Sequence, residues 1–279
     1  MNRRFVLPIV IVGALLLAAC GGDSSSDESP QATTSVATEA PATTAPDDSP
    51  ATTAPDDSPA TTAPDDSPAT TAPAETPDDS YEGPVSIETS DGVTLAGDIV
   101  GTGTTGVVLA HMRGASRGTW ADFAEVLAAN GYRALYFDFR GYGDSEGDRD
   151  TNLDIDLAAV VESMTAAGVT DVFVFGASMG ATASVVTAAN FDLAGVSSLS
   201  GPSKFGDLDA LEAAGQLNES SLFVVAESDG GFTTAAQQMA EAAGTEPLIL
   251  PGGSHGTNMF ADNGEQLEKA LLDFIAANV

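Results

Sequence analysis

The sequence predicts an α/β architecture: a mostly parallel, eight-stranded sheet with helices on both faces and no large cap domain. Three observations predict it. From residue 107 onward, short apolar runs alternate with segments whose apolar residues recur at helical spacing. The runs are unbroken rather than alternating, as expected for strands of a parallel sheet covered on both faces. And Val172-Phe173-Val174-Phe175 leads directly into Gly176-Ala177-Ser178-Met179-Gly180 and then into the small residues Ala181 to Val186, a strand–turn–helix sequence.

The elements follow in order. Val85 to Thr89 alternates and faces Val93 to Ile99 across Ser90-Asp91-Gly92; Asp-Gly between alternating runs is a hairpin signal. Further strands are predicted near 107–110, 132–138, 172–176, 194–199, 221–226 and 247–250. Between them, Trp120, Phe123 and Leu127 make a short helical stripe, and Leu153, Leu157, Val160, Val161 and Met164 make a longer one. Leu267, Leu271, Phe274 and Ile275 mark a terminal helix. These stripes read as core contacts. The stretch 200–220 has room for one helix, near Asp207 to Ala214, which implies an open site.

Chemistry concentrates at the ends of these strands. Ser178 occupies the centre of a Gly-x-Ser-x-Gly turn, where larger flanking residues would collide with the neighbouring strand or helix. Asp229 lies in the turn Glu227-Ser228-Asp229-Gly230-Gly231 after the run 221–226, and His255 in the loop Pro251 to Gly256 after the run 247–250. The chain has only two histidines, His111 and His255, so the choice of base is narrow. From about Val85 to Val279 the chain resembles the α/β-hydrolase-fold serine hydrolases, whose triads run in the order Ser, acid, His. Val107 to His111 resembles the strand that precedes the oxyanion loop of that family. Asp138-Phe139-Arg140-Gly141-Tyr142-Gly143-Asp144-Ser145 resembles its Asp-x-Arg-Gly-x-Gly-x-Ser loop. Met112 stands where the family usually has glycine.

The resemblance implies roles. Ser178 is the nucleophile, which needs a base within hydrogen-bond reach. His255 takes and returns the proton. Asp229 orients the imidazole; Glu227, two residues earlier, is the alternative acid, since the loop aligns either way. The oxyanion hole takes the backbone N–H of Met179 and a second donor after His111: Arg113, with Met112 the alternative. His111 is expected to brace its loop. The Arg113 side chain reads as a solvated loop arginine, with orientation of a carboxylate-bearing substrate the sharper alternative. Asp138, Arg140 and Ser145 read as structural. No cofactor is implied. No metal site is expected either, because two histidines 144 residues apart and a single cysteine make a poor ligand set.

Before residue 81 the composition changes. Arg3 and Arg4 precede the apolar stretch Phe5 to Leu17, and Leu17-Ala18-Ala19-Cys20 resembles a bacterial lipobox, so residues 1–20 read as a lipoprotein signal peptide with Cys20 lipidated. An ordinary cleaved signal peptide is the alternative. Cys20 is the chain's only cysteine, which leaves no intrachain disulfide. Residues 21–80 contain no Lys or Arg and repeat Ala-Thr-Thr-Ala-Pro-Asp-Asp-Ser-Pro from Ala42, Ala51 and Ala60. No unit carries a hydrophobic face, so a disordered, partly extended linker is expected. Of the chain's 41 acidic residues, 13 fall in this linker; residues 81–279 keep 28, against seven basic ones, a net charge of −21. That balance argues against nucleic acid and against adhesion to anionic headgroups.

The sequence therefore predicts a lipid-anchored, extracytoplasmic serine hydrolase in residues 81–279. Carboxylic esters are the expected substrates, as small molecules or surface-presented. The rivals are a serine peptidase or amidase with the same triad, and a surface binding protein on a catalytically retired fold.

Overall fold

The computed structural model describes residues 82–279. The proposed signal peptide, Cys20 and the repeat linker lie outside the described residues.

The chain opens with the hairpin of β1 (Gly83–Glu88) and β2 (Thr94–Val100), paired antiparallel with Ile87 opposite Leu95. Then follow β3 (Thr105–Ala110), a 3-10 turn (Arg117–Trp120), α1 (Ala121–Ala129), β4 (Arg133–Phe137), α2 (Leu153–Ala166), β5 (Asp171–Ala177) and α3 (Met179–Ala188). β6 (Gly195–Leu199) precedes a two-stranded hairpin of β7 (Lys204–Phe205) and β8 (Leu208–Asp209), and α4 (Ala210–Ala214) comes next. β9 (Ser220–Ala226), α5 (Gly231–Ala242), β10 (Leu248–Leu250), a second 3-10 turn (Gly256–Asn258) and α6 (Met259–Ala276) complete it.

Eight strands form one sheet in the order β1-β2-β4-β3-β5-β6-β9-β10, with β2 antiparallel to both its neighbours and every pair from β4 to β10 parallel. This is the α/β-hydrolase fold. The side-chain period of a strand explains why the apolar runs are continuous. Val107 and Leu109 of β3, with Phe173 and Phe175 of β5, join Trp120, Phe123, Leu127, Leu267, Leu271 and Ile275 beneath α1 and α6. Their neighbours Val108, Ala110, Val172 and Val174 face the other way, toward Leu157, Val160 and Met164 of α2 and Met239 of α5. Each run thus fills two cores.

Two arginines anchor the strand-end loops. Arg140, 4% exposed, reaches Asp156 at 2.7 Å and Asp91 at 2.8 Å, so the aspartate of the first hairpin turn is also an ion-pair partner. Arg117 binds Asp98 at 2.6 Å and also the fully buried Asp138. Ser145 Oγ donates to the Asp138 carbonyl at 2.6 Å. Asp138, Arg140 and Ser145 therefore hold loops, in keeping with their structural reading.

One predicted element changes. The helix expected over 207–214 begins only at Ala210, because residues 204–209 form the small hairpin, which turns at Gly206 with φ +57°. Asp209 ends β8 and caps the helix, its carboxylate accepting from the Glu212 N–H at 3.1 Å. This hairpin and a five-residue helix occupy the place where a large cap would sit.

Candidate active site

Parallel strands deliver their C-terminal ends to one edge of the sheet, and there the loops converge. Ser178 follows β5, His111 follows β3, Ser200 follows β6, Asp229 follows β9 and His255 follows β10. Five segments distant in sequence thus meet because the sheet is parallel.

Ser178 sits at the tip of β5 with φ +50° and ψ −114°, outside the regions an L-residue prefers. Its N–H donates to the Leu199 carbonyl at 2.9 Å, which pins the turn to β6. The flanking glycines are required by close approach. A Cβ on Gly180 would run into the carbonyl oxygens of Ala110 and His111, and one on Gly176 into the Gly180 backbone and the Ser184 hydroxyl. β3, β5 and α3 are therefore packed backbone to backbone around the turn. This forces the Ser178 backbone into its unusual angles while leaving the residue partly accessible.

Asp229 is 8% exposed, and both its carboxylate oxygens lie 3.0–3.1 Å from His255 Nδ1. This fixes the tautomer: Nδ1–H donates to the carboxylate, leaving Nε2 as the free acceptor. Glu227 is exposed, and its carboxylate accepts from the Gly252 N–H at 3.4 Å, away from the imidazole. Of the two candidate acids, the fold brings Asp229 to His255. The Phe232 ring packs against the His255 ring, with centroids 4.3 Å apart. Gly256 abuts Ala177 and Met112, which seats the histidine loop against the Ser178 turn. Ser178 Oγ makes no hydrogen bond to His255 in this structure.

The loop after β3 is built around His111, which is fully buried. Its Nδ1–H donates to the Met112 carbonyl at 2.8 Å, and its Nε2 accepts the Phe139 N–H at 3.0 Å. Both contacts require the neutral ring, and burial lowers its pKa below the usual histidine range against the opposing pull of Met112 and Asp138. The Met112 carbonyl also accepts from the Ala115 N–H at 3.1 Å. Because a trans peptide carries its N–H opposite its C=O, these two donors also set the direction of the Arg113 N–H. That N–H has no protein acceptor among the described residues. The carbonyl of His111 lies against Gly180, so the Met112 N–H points away from the start of α3. As the first residue of α3, Met179 has an N–H without a partner inside its helix.

The Arg113 guanidinium reaches Asp150 at 2.7 Å, and the Tyr142 hydroxyl donates to the same carboxylate at 2.5 Å. The side chain is 65% exposed, in line with a solvated loop arginine, and its guanidinium is paired with Asp150. Its own pKa is raised by the Asp150 hydrogen bond.

Sequence reasoning missed Ser200. It is fully buried with φ +54°, and its Oγ accepts the Gly256 N–H at 3.0 Å, immediately after His255. It holds the histidine loop to the end of β6. A serine between Leu199 and Gly201 carries no local signal of that role. Among the described residues, no cluster of three or more His, Cys, Asp or Glu residues is placed to hold a metal ion.

Comparison with known proteins agrees with the fold. A family model described as serine aminopeptidase, S33, matches residues 104–195, from β3 to the start of β6. An esterase from Pyrococcus furiosus superposes with a TM-score of 0.62 at 19% identity, covering 71% of this chain and 92% of its own. An esterase from Rhodococcus sp. gives 0.62 at 17% identity over 71% of this chain and 100% of its own. An enol-lactonase from Burkholderia xenovorans gives 0.60 at 15% identity over 69% and 100%. No curated protein matches the sequence.

Proposed function

We propose that residues 81–279 form a serine hydrolase acting on carboxylic esters through an acyl-enzyme. The observation that supports the reading is the Asp229–His255 pair at 3.0–3.1 Å, together with a serine held at φ +50° on a tight strand–helix turn at the same edge of the sheet. Ser178 Oγ attacks the ester carbonyl carbon as its proton passes to His255 Nε2. The carbonyl oxygen becomes an oxyanion, received by the N–H groups of Met179 and Arg113. Asp229 stabilises the imidazolium through Nδ1–H. Collapse breaks the bond to the alcohol oxygen, which takes the proton from Nε2 and leaves. Water then gives its proton to His255, attacks the acyl carbon and releases the acid, and Ser178 recovers its proton. The esterases and the lactonase among the structural neighbours support an ester or lactone bond as the target.

The test is hydrolysis of p-nitrophenyl acetate and butyrate by the full-length chain and by Ser178→Ala, with fluorophosphonate labelling of both. Turnover and labelling that vanish in the variant are expected. A folded protein indistinguishable from Ser178→Ala in both assays would leave a binding protein on a retired fold as the better reading. The family description favours a second reading, a peptidase. The match stops before Asp229 and His255, and cleavage of an aminoacyl-p-nitroanilide in preference to the esters would select it.

We further propose that Cys20 is lipidated, anchoring the chain at the extracytoplasmic face of the membrane with residues 21–80 as the tether. Small or surface-presented esters are then the partners, and nucleic acid is not. Cys20→Ser should move the protein from the membrane fraction to the soluble fraction; unchanged fractionation would refute the anchor.

A further inference from the structure

The structure points to a leaving-group subsite beside His255. This inference rests on the ester-hydrolase reading and asks which part of the substrate goes where. Between the β7–β8 hairpin and the start of α5 lies a solvent-open depression of about 280 Å³ lined by Pro202, Ser203, Lys204, Gly231, Phe232 and Ala235. Phe232 forms one wall of it and also packs on the His255 ring, with centroids 4.3 Å apart. Of the described cavities, this one includes a residue that touches the proposed base.

The chemistry then assigns its occupant. Four groups surround the tetrahedral carbon: Ser178 Oγ, the oxyanion, the acyl chain and the departing oxygen. The oxyanion turns toward Met179 and Arg113. Only the departing oxygen has to receive a proton from His255 Nε2, so only the leaving group has to lie on the histidine side. A cavity walled by the residue packed on His255 therefore takes the body of the alcohol, not the acyl chain.

Its walls define the class of alcohol. Pro202, Phe232 and Ala235 are apolar and Gly231 has no side chain, so the surface favours an apolar group. The one charged group, Lys204, is 70% exposed at the rim and already tied to Asp209 at 2.6 Å, so it offers no free cation. The depression is open to solvent, so its apolar wall can bear on one face of a ring or a branched chain without enclosing it. The fitting leaving group is an uncharged aromatic or branched alcohol.

Gly231 supplies the test. It lines the cavity, its φ lies outside the left-handed range, and a Cβ built on it meets nothing within 4 Å. It is the first residue of α5, where leucine is a good helix former. Gly231→Leu should fill the cavity without disturbing the fold, and Gly231→Ala should fill it partly. Two substrate series are measured on the full-length chain: acetates of ethanol and phenol, and p-nitrophenyl esters of acetate and butyrate. In Gly231→Leu the kcat/KM ratio of phenyl to ethyl acetate should fall about tenfold or more, with Gly231→Ala between the leucine variant and wild type. The acetate-to-butyrate ratio should stay within about twofold.

A shift confined to the acyl series would make this the acyl site and overturn the assignment. Unmoved ratios in folded, Ser178-dependent variants would show that substrate does not enter the cavity. Wild-type protein inert toward every ester would instead overturn the ester-hydrolase reading, and this assignment with it.

Discussion

Ser200 is expected to position His255, and the size of the effect follows from its surroundings. Its hydroxyl is the acceptor for the Gly256 N–H, and both residues are buried. Removing the hydroxyl leaves that N–H unpaired, at a cost of about 1–3 kcal/mol. The backbone complicates the comparison in a useful way. Ser200 adopts φ +54°, which is strained by about 1–2 kcal/mol for any L-residue with a Cβ and costs glycine little. Ser200→Ala therefore loses the hydrogen bond and keeps the strain, whereas Ser200→Gly loses the hydrogen bond and sheds the strain. Urea unfolding should place alanine below wild type by about 1–3 kcal/mol and glycine roughly 1 kcal/mol above alanine. Activity should follow a different order. Both variants release the residue next to His255, so both should lose kcat by about tenfold or more with KM little changed. A merely structural serine would let kcat track stability, with glycine retaining more activity than alanine. Wild-type kcat in both folded variants would refute the positioning role.

Three further outcomes are expected. Asp229→Asn should lower kcat by roughly 10⁴-fold, by analogy with removal of a triad carboxylate, whereas Glu227→Gln should stay within about twofold because its carboxylate faces the Gly252 N–H; the reverse pattern in ester kinetics would reassign the acid. Gly180→Ala should destabilise by about 1–3 kcal/mol or more, since the new methyl meets backbone oxygens of β3 and its loop that cannot move aside; a melting curve superposable on wild type would contradict the packing. Finally, burial lowers the pKa of His111 in the folded state, so between its unfolded value of 6.5 and its folded value the unfolded chain binds more protons. Stability should thus be full above pH 6.5 and fall as the pH drops through that window. Urea titrations at several pH values should show a flatter slope for His111→Gln. Asp91, held well below the usual carboxylate range chiefly by Arg140, contributes its own loss only at lower pH.

The local grammar of the chain carried much of the fold. The hairpin at Asp91-Gly92 forms as expected, and the apolar stripes at Leu153 to Met164 and Leu267 to Ile275 face the two cores. These signals are legible because they depend on periodicity and turn chemistry within a few residues. The helix expected from Asp207 illustrates the limit. The hairpin that displaced it depends on a pairing of Lys204 with Asp209 across a glycine turn, which competes with the weak helical propensity of a short segment.

The candidate site divides along the same line. By itself the sequence determined which residue types could act: one serine on a Gly-x-Ser-x-Gly turn, two histidines from which to choose a base, and two acids in one loop. It determined their order along the chain, because each follows an apolar run that must become a strand. Only the tertiary structure placed Asp229, and not Glu227, against His255, and turned the His111 carbonyl toward Gly180 and with it the Met112 N–H away from α3. Those placements depend on which way a turn or a peptide plane faces when packed against a distant strand. It alone showed that Ser200 holds the loop of His255, 55 residues later, that Arg113 is paired with Asp150, and that Phe232 packs on the His255 ring. Strand propensity and spacing act locally, whereas direction at a strand end is set by neighbours that the sheet order brings together.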